Sequence, residues 1–231
     1  MTITAQSIIR RATDLLQDKT SIRWPANELV RWLNDAQREI IKKRPDSMNT
    51  TVTMSLVAGT RQDLDSATAN AAGNAALTPL PAKLIDITRN MAGNLRSVTK
   101  VERKVLDVLP AWHDLPGAIS IQHFTFDAKD PKTFYTYPPA LATAKLEVMY
   151  SAYPTDVTEP ADGSDYTAVT GNLSVPDIYA NDVLDLILSR AYSKDSEFAG
   201  NVQLAGAYAA KADASLKTEI AATVAVQPTV K

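Results

Sequence analysis

Two histidines, His113 and His123, are the only imidazoles in this 231-residue chain, and cysteine is absent. Structural zinc takes four close ligands and catalytic zinc three, so two histidines in a loop and a predicted strand, with no third donor at zinc spacing, do not make a site. They read as ordinary surface or half-buried histidines. Without thiols there is also no disulfide framework. Asp162-Gly163-Ser164-Asp165 hints at a calcium loop, but the alternating oxygen ligands and closing Glu of an EF-hand are missing. Asp182 and Asp185 are spaced as neighbours on a helix surface, and nothing local would raise one pKa to make an acid–base pair. No spaced-glycine turn and no Gly-Lys-Ser/Thr phosphate loop occurs, and eight glycines are too few to hide one. The expectation is no catalytic residue, no metal ligand and no cofactor.

Two further groups have chemical potential. Lys42-Lys43-Arg44 puts three cations together. They either complement the negative end of a helix dipole or contact phosphate, which would make them candidates for DNA contact. Tyr135, Tyr137, Tyr150 and Tyr153 fall on strand-like runs, and an aromatic row binds sugars or bases as readily as it packs a core. Asn49-Thr50-Thr51 and Asn172-Leu173-Ser174 match glycosylation acceptors, which carry no meaning without a secretory leader.

The element that must position most of this is Trp24 to Pro45. Leu29, Leu33, Ala36 and Ile40 lie at i, i+4, i+7 and i+11, one stripe of an α-helix that Ile41 widens. Pro25 stands at the start and Pro45 marks the stop. Glu28, Arg31, Asp35, Arg38, Glu39, Lys42 and Lys43 form the opposite face, with Asp35 to Arg38 and Glu39 to Lys43 at pairing distance. That face reads as solvated or turned to a partner.

A hydrophobic content of 45% over this length supplies a core for one large or two small domains. The formal charge of -2 gives no global attraction to nucleic acid or anionic membrane. The first 46 residues are mildly basic, with nine Lys/Arg against six Asp/Glu. Neither a leader-like N-terminus nor a membrane-length apolar run is evident, so a soluble, unsecreted product is expected.

Along the chain, Ala5, Ile8, Ile9, Ala12, Leu15 and Leu16 repeat at helical spacing behind Thr4 as N-cap, and a short polar connection leads into the Trp24 helix. After Pro45 the period drops to 2 at Val52, Met54 and Leu56. Gly59 begins a turn into a second strand at Arg61 to Leu64, and Ser66 to Ala76 is a low-complexity loop. Strands are predicted over 84–91, 119–126, 133–137 and 145–153, with a short helix over 101–109. The polar stretch 155–172 crosses between domains or over an edge. Pro176-Asp177 then opens a third helix whose apolar set, Ala180, Val183, Leu184, Ile187, Leu188 and Ala191, makes it a central rod. A fourth carries Val202, Ala205, Ala209, Ala212, Leu216 and Ile220. The fold class expected is α+β: a four-helix bundle built from both chain ends, an inserted antiparallel β domain and an extended C-terminal arm. Its divisions are 1–46, 47–172, 173–220 and 221–231. Within the arm, the valines and threonines of residues 221–231 disfavour continuing the fourth helix, and Pro228 forbids a regular one.

The segments Trp24-Pro25, Glu28-Leu29 and Arg31-Trp32-Leu33-Asn34-Asp35-Ala36-Gln37-Arg38-Glu39, with Gly59-Thr60-Arg61-Gln62, Arg89-Asn90-Met91, Tyr137-Pro138-Pro139, Arg190-Ala191-Tyr192 and Lys194-Asp195, carry a family resemblance. In that order the chain resembles the head-to-tail adaptors of tailed double-stranded DNA bacteriophages, also called connector or tail tubular protein A-like. Ser66 to Ala76 departs from it, being longer than in related sequences. The resemblance implies a structural virion protein at the head–tail junction, made in the host cytoplasm: a homo-oligomeric ring of twelve copies, docked on the portal protein and meeting a tail or nozzle protein. Double-stranded DNA passes non-specifically through its lumen, without membrane contact or catalysis. Val224, Val226, Pro228 and Val230 would form the portal-binding arm, and Lys42, Lys43 and Arg44 are candidate lumen contacts. Competing readings are a tail-associated carbohydrate-binding or hydrolase module, motivated by the tyrosines, and a DNA-binding helical protein, motivated by the basic helix end.

Overall fold

The computed structural model describes residues 3–64, 77–197 and 199–226. The chain is α+β and divides into two compact units, 1–47 with 154–231, and Met48–Tyr153.

In the first unit, α1 (Ala5–Leu16) and α2 (Ala26–Lys43) come from the N-terminal part, and α4 (Ala180–Lys194) and α5 (Ala199–Val226) from the C-terminal part. Thr4 caps α1 by accepting the Ser7 amide at 3.2 Å. The stripe of α2 is core: Leu29, Leu33, Ala36 and Ile40 are fully buried. All six apolar residues expected to face inward on α4 are buried, together with Leu186, Asp182 and Asp185. Such all-round burial follows from its position, because α1, α2 and α5 each pack against α4. The hydroxyl of Ser189 donates to the Ala205 carbonyl while Lys211, further along α5, bonds Asp185, earlier on α4, so α5 runs antiparallel to α4. One stripe of α5, Ala205, Ala212 and Leu216, is buried, whereas Val202 is exposed.

The helix does not end where the sequence suggested. α5 continues through Val226, so Ala221 to Val226 is helical rather than extended. Valine and threonine each cost only about 0.5 kcal/mol relative to alanine in a helix, and Ala221, Ala222 and Ala225 alternate with them. Only Pro228 is a true stop. Pro228, Val230 and the Ser66 to Ala76 loop lie outside the described residues.

The second unit holds two sheets around one apolar core that includes Met54, Leu84, Phe124, Phe134, Val148 and Tyr150. The first sheet has the order β1-β7-β3, from β1 (Asn49–Ser55), β7 (Lys145–Ala152) and β3 (Pro81–Asn90), with antiparallel pairing throughout. The second has the order β2-β6-β5-β4, from β2 (Gly59–Asp63), β6 (Thr133–Ala140), β5 (His123–Phe126) and β4 (Thr99–Lys100). Three expectations change. β4 and β5 pair in parallel, so the domain is not wholly antiparallel. β1 and β2 do not form a hairpin, because Gly59 at φ 112° passes the chain from one sheet to the other. The strand predicted from Ile119 begins only at His123, and Ile119 is exposed. A short α3 (Arg103–Asp107) follows β4.

The polar stretch from Pro154 falls in the helical unit, not with the strands that precede it. The buried amide of Asn34 explains this. Its Nδ2 donates to the Val157 carbonyl at 3.0 Å and its Oδ1 accepts the Val157 amide at 2.9 Å, a two-point clamp from α2 onto the backbone.

Candidate functional site

The residues of α2 that face away from the core are not a free surface. Arg31 makes a bidentate pair with Glu159, and Arg38 bonds both Asp35 and Asp156. Glu28 receives Lys194, and Glu39 receives Arg190 and Lys43. The expected pairs within the helix, Asp35 with Arg38 and Glu39 with Lys43, are both made. The remaining charges tie α2 to the 154–172 segment and to the C-terminal helices, while Arg31, Asp35, Arg38, Lys42 and Lys43 stay exposed, so the face is solvated as expected and also cross-linked by surface ion pairs. Arg31 holds the Glu159 carboxyl below its ordinary value. Beneath this layer the Gln37 Oε1 accepts the amides of Ser174 and Val175, and Trp24 Nε1 donates to the Ala191 carbonyl.

The three clustered cations have different fates. Lys43 bonds Glu39 and Asp213; burial opposes its charge, but the two carboxylates outweigh it and raise its pKa. Arg44 is buried and bonds Asp46 through Nη2 and Nε. Lys42 is exposed and makes no ion pair among the described residues.

Each histidine is engaged locally. His113 Nδ1 lies 2.8 Å from the Thr60 hydroxyl and its ring stacks on Trp112. His123 Nδ1 lies 2.5 Å from the Thr99 hydroxyl, with its ring over Tyr137. Asp162 accepts the Ser164 amide and hydroxyl, and Asp165 accepts those of Thr167. These bonds lower both carboxyl pKa values. The loop they shape presents the Gly163 carbonyl to the Ala26 amide at 2.7 Å, supplying a partner for the open start of α2. Gly163 packs so tightly that a Cβ would stand 3.0 Å from the Asn27 Oδ1. The stretch that suggested calcium is therefore a helix-docking loop. Asn172, though exposed, pairs with Thr4 through the backbone, which ties the second acceptor motif to the start of α1.

Asp182 and Asp185 are buried rather than surface neighbours, and Asp185 receives Lys211 at 2.9 Å. The tyrosines form no row, because Tyr135 and Tyr137 belong to β6 in one sheet and Tyr150 to β7 in the other. Tyr150 is buried and donates its hydroxyl to the Pro79 carbonyl, whereas Tyr153 is half exposed. That removes the main motive for a carbohydrate-binding reading.

Several residues that hold the fold were not singled out for their roles. Asp18 accepts the amides of Ile22, Arg23 and Trp24 and so shapes the α1–α2 connection. Gln62 is fully buried and clamps Val57 from both sides, its Oε1 accepting the amide and its Nε2 donating to the carbonyl. Asn90 does the same to Ile121 at 2.8 and 2.7 Å. Their signal in the sequence was membership of Gly59-Thr60-Arg61-Gln62 and Arg89-Asn90-Met91. A buried side-chain amide that satisfies backbone groups tolerates few replacements, which is a physical reason for such motifs to persist.

Among the described residues the arrangement brings together no catalytic constellation; its chemistry is ion pairing, backbone clamping and exposed apolar helix surface. Comparison with curated proteins gives no significant match. A profile described as SU10 adaptor protein matches residues 3–230, nearly the whole chain and both structural units. The chain therefore belongs to the SU10 adaptor protein family, as a phage structural protein of the head-to-tail adaptor kind.

Proposed function

We propose that this adaptor closes into a ring of twelve copies that docks on the portal, presents a platform to the tail or nozzle protein and lets double-stranded DNA pass through its lumen. The observation that carries the reading is α5. It is a 28-residue helix of largely apolar composition that buries one stripe, while Val202, Leu204 and the alanines at 207, 210 and 214 are exposed. A helix apolar on most sides but covered on one calls for a second partner, and a head-to-tail ring supplies one to every copy. The helices from the two chain ends then act as one four-helix bundle, the rigid body of each subunit. The end of α5 bearing Val224 and Val226, with Pro228 and Val230 beyond it, is assigned to the portal. Lys42 is the residue assigned to DNA, with Lys43 and Arg44 supporting it from within the subunit. One lysine per copy left without an ion pair at this end of α2 suits a channel that must not hold its cargo, since each phosphate contact adds to retention.

The test is sizing and negative-stain imaging of the purified protein, alone and mixed with portal. Closed rings, or a stoichiometric complex with portal, are expected. A protein that stays monomeric in both conditions would sink the proposal.

A further inference from the structure

The second unit contains a cavity of about 530 Å³ between the β4–α3 connection and the end of β5. Its volume is in the range that accepts a small ligand or a few side chains. Lys100, Arg103 and Lys104 line it, with Phe126 and Tyr135 as its aromatic wall. Lys100 Nζ stands 4.1 Å from the centroid of the Phe126 ring, and the Arg103 guanidinium 6.0 Å from that of Tyr135. Among the described residues, the ion pair of Arg103 is a long one with Asp107, at 3.5 Å. Lys100 and Lys104 are exposed and make no ion pair among the described residues.

From this geometry we infer that the cavity is a binding site for an acidic segment of a partner protein, which inserts a carboxylate among Lys100, Arg103 and Lys104. Three cations line the concave space against two carboxylates, Glu102 and Asp127, which leaves the lining net positive by one charge and able to take one further carboxylate. Nucleic acid shares the negative charge but fits less well. Lys100 already stands over the Phe126 ring, so a base could stack there only by displacing it. Glu102 and Asp127 also line the cavity, and they repel a continuous phosphate backbone more than a single carboxylate. Val101, Ala128 and the ring edges supply apolar lining for a residue beside the carboxylate. The inference goes beyond the ring reading and does not depend on it.

The test is fluorescence anisotropy with the full chain at low salt. The probes are a labelled Gly-Ser-Asp-Leu-Asp-Gly peptide, the same peptide with Asn for both Asp, and labelled oligothymidylate. The Asp peptide should bind and the Asn peptide should not. Lys100→Gln and Lys104→Gln should each weaken binding about fivefold, as expected for partly solvated charge pairs, and Asp127→Asn should strengthen it. An unchanged thermal midpoint for the variants shows that they fold, as exposed positions predict. No binding of the Asp peptide, equal binding of the Asn peptide, indifference to both lysine substitutions, or tighter binding of oligothymidylate would overturn the assignment.

Discussion

Leu33 is fully buried near the middle of α2, where truncation leaves a cavity that a helix packed on its neighbours cannot close. Leu33→Ala should cost about 2 to 5 kcal/mol, read as a clear fall in the denaturation midpoint. An unchanged midpoint would show that the stripe is not core. The adjacent Trp32 is only half-buried, and the indole that anchors this region is Trp24. Acid should act on the same unit. Burial alone would raise the Asp18 carboxyl, but the amides of Trp24, Ile22 and Arg23 outweigh it and hold it below 3.8. Arg44 lowers Asp46, Lys43 lowers Asp213 and Arg31 lowers Glu159. Carboxyls depressed in the fold stabilise it fully above their ordinary values of 3.8 and 4.5, and that stabilisation is lost as pH falls through the lower folded values. Helical circular dichroism should therefore hold steady near neutrality and fail in the acid range. The Asp18→Asn protein should be less stable at neutral pH and lose less on acidification. Equal acid losses in the two proteins would remove Asp18 from this account.

Among the elements, α2 was legible because a buried stripe with a 3.6-residue period and two prolines leaves one solution, and α4 because its apolar residues cover more than one face. The sheets were less so. Alternation at Val52, Met54 and Leu56 tells which side chains face a core but not which strand lies alongside. Tyr137 and Tyr150 thus read as neighbours although their strands belong to different sheets. The segment from Pro154 was illegible for another reason: it carries almost no hydrophobic pattern, and its place is set by polar clamps, chiefly Asn34 onto Val157. Asn34→Ala leaves that buried amide and carbonyl without their partner, at about 1 to 3 kcal/mol. The segment should then be cut more readily. Limited proteolysis followed by mass spectrometry should find new cleavage between residues 155 and 165. A digestion pattern identical to that of the unsubstituted protein would show that the ion pairs of Arg31 and Arg38 suffice without the clamp.

At the scale of the whole molecule, the end of α5 sets stability and assembly apart. Ser189 with Ala205, Asp185 with Lys211 and Tyr192 with Tyr208 fix the antiparallel register of α4 and α5. That register brings the start of α4, at Ala180, opposite Leu216, so the ten residues up to Val226 run past it by about 15 Å at the helical rise. Extra turns beyond a packed partner contribute little to the fold of a single chain, because helices in water gain most of their stability from tertiary burial. Under the proposed docking on the portal, a helix end of that length would enter a groove with residues at helical spacing. Deleting residues 221–231 should leave the thermal midpoint within about 1 kcal/mol equivalent of the full chain, as for changes outside the core. The same deletion should abolish attachment to portal-bearing heads, measured by co-sedimentation with DNA-filled capsids. If the truncated protein instead unfolds at a much lower temperature, the helix end is part of the core. If it stays stable and still attaches at full occupancy, the portal contact belongs elsewhere, and the exposed face of α5 at Val202 and Leu204 is the next surface to substitute.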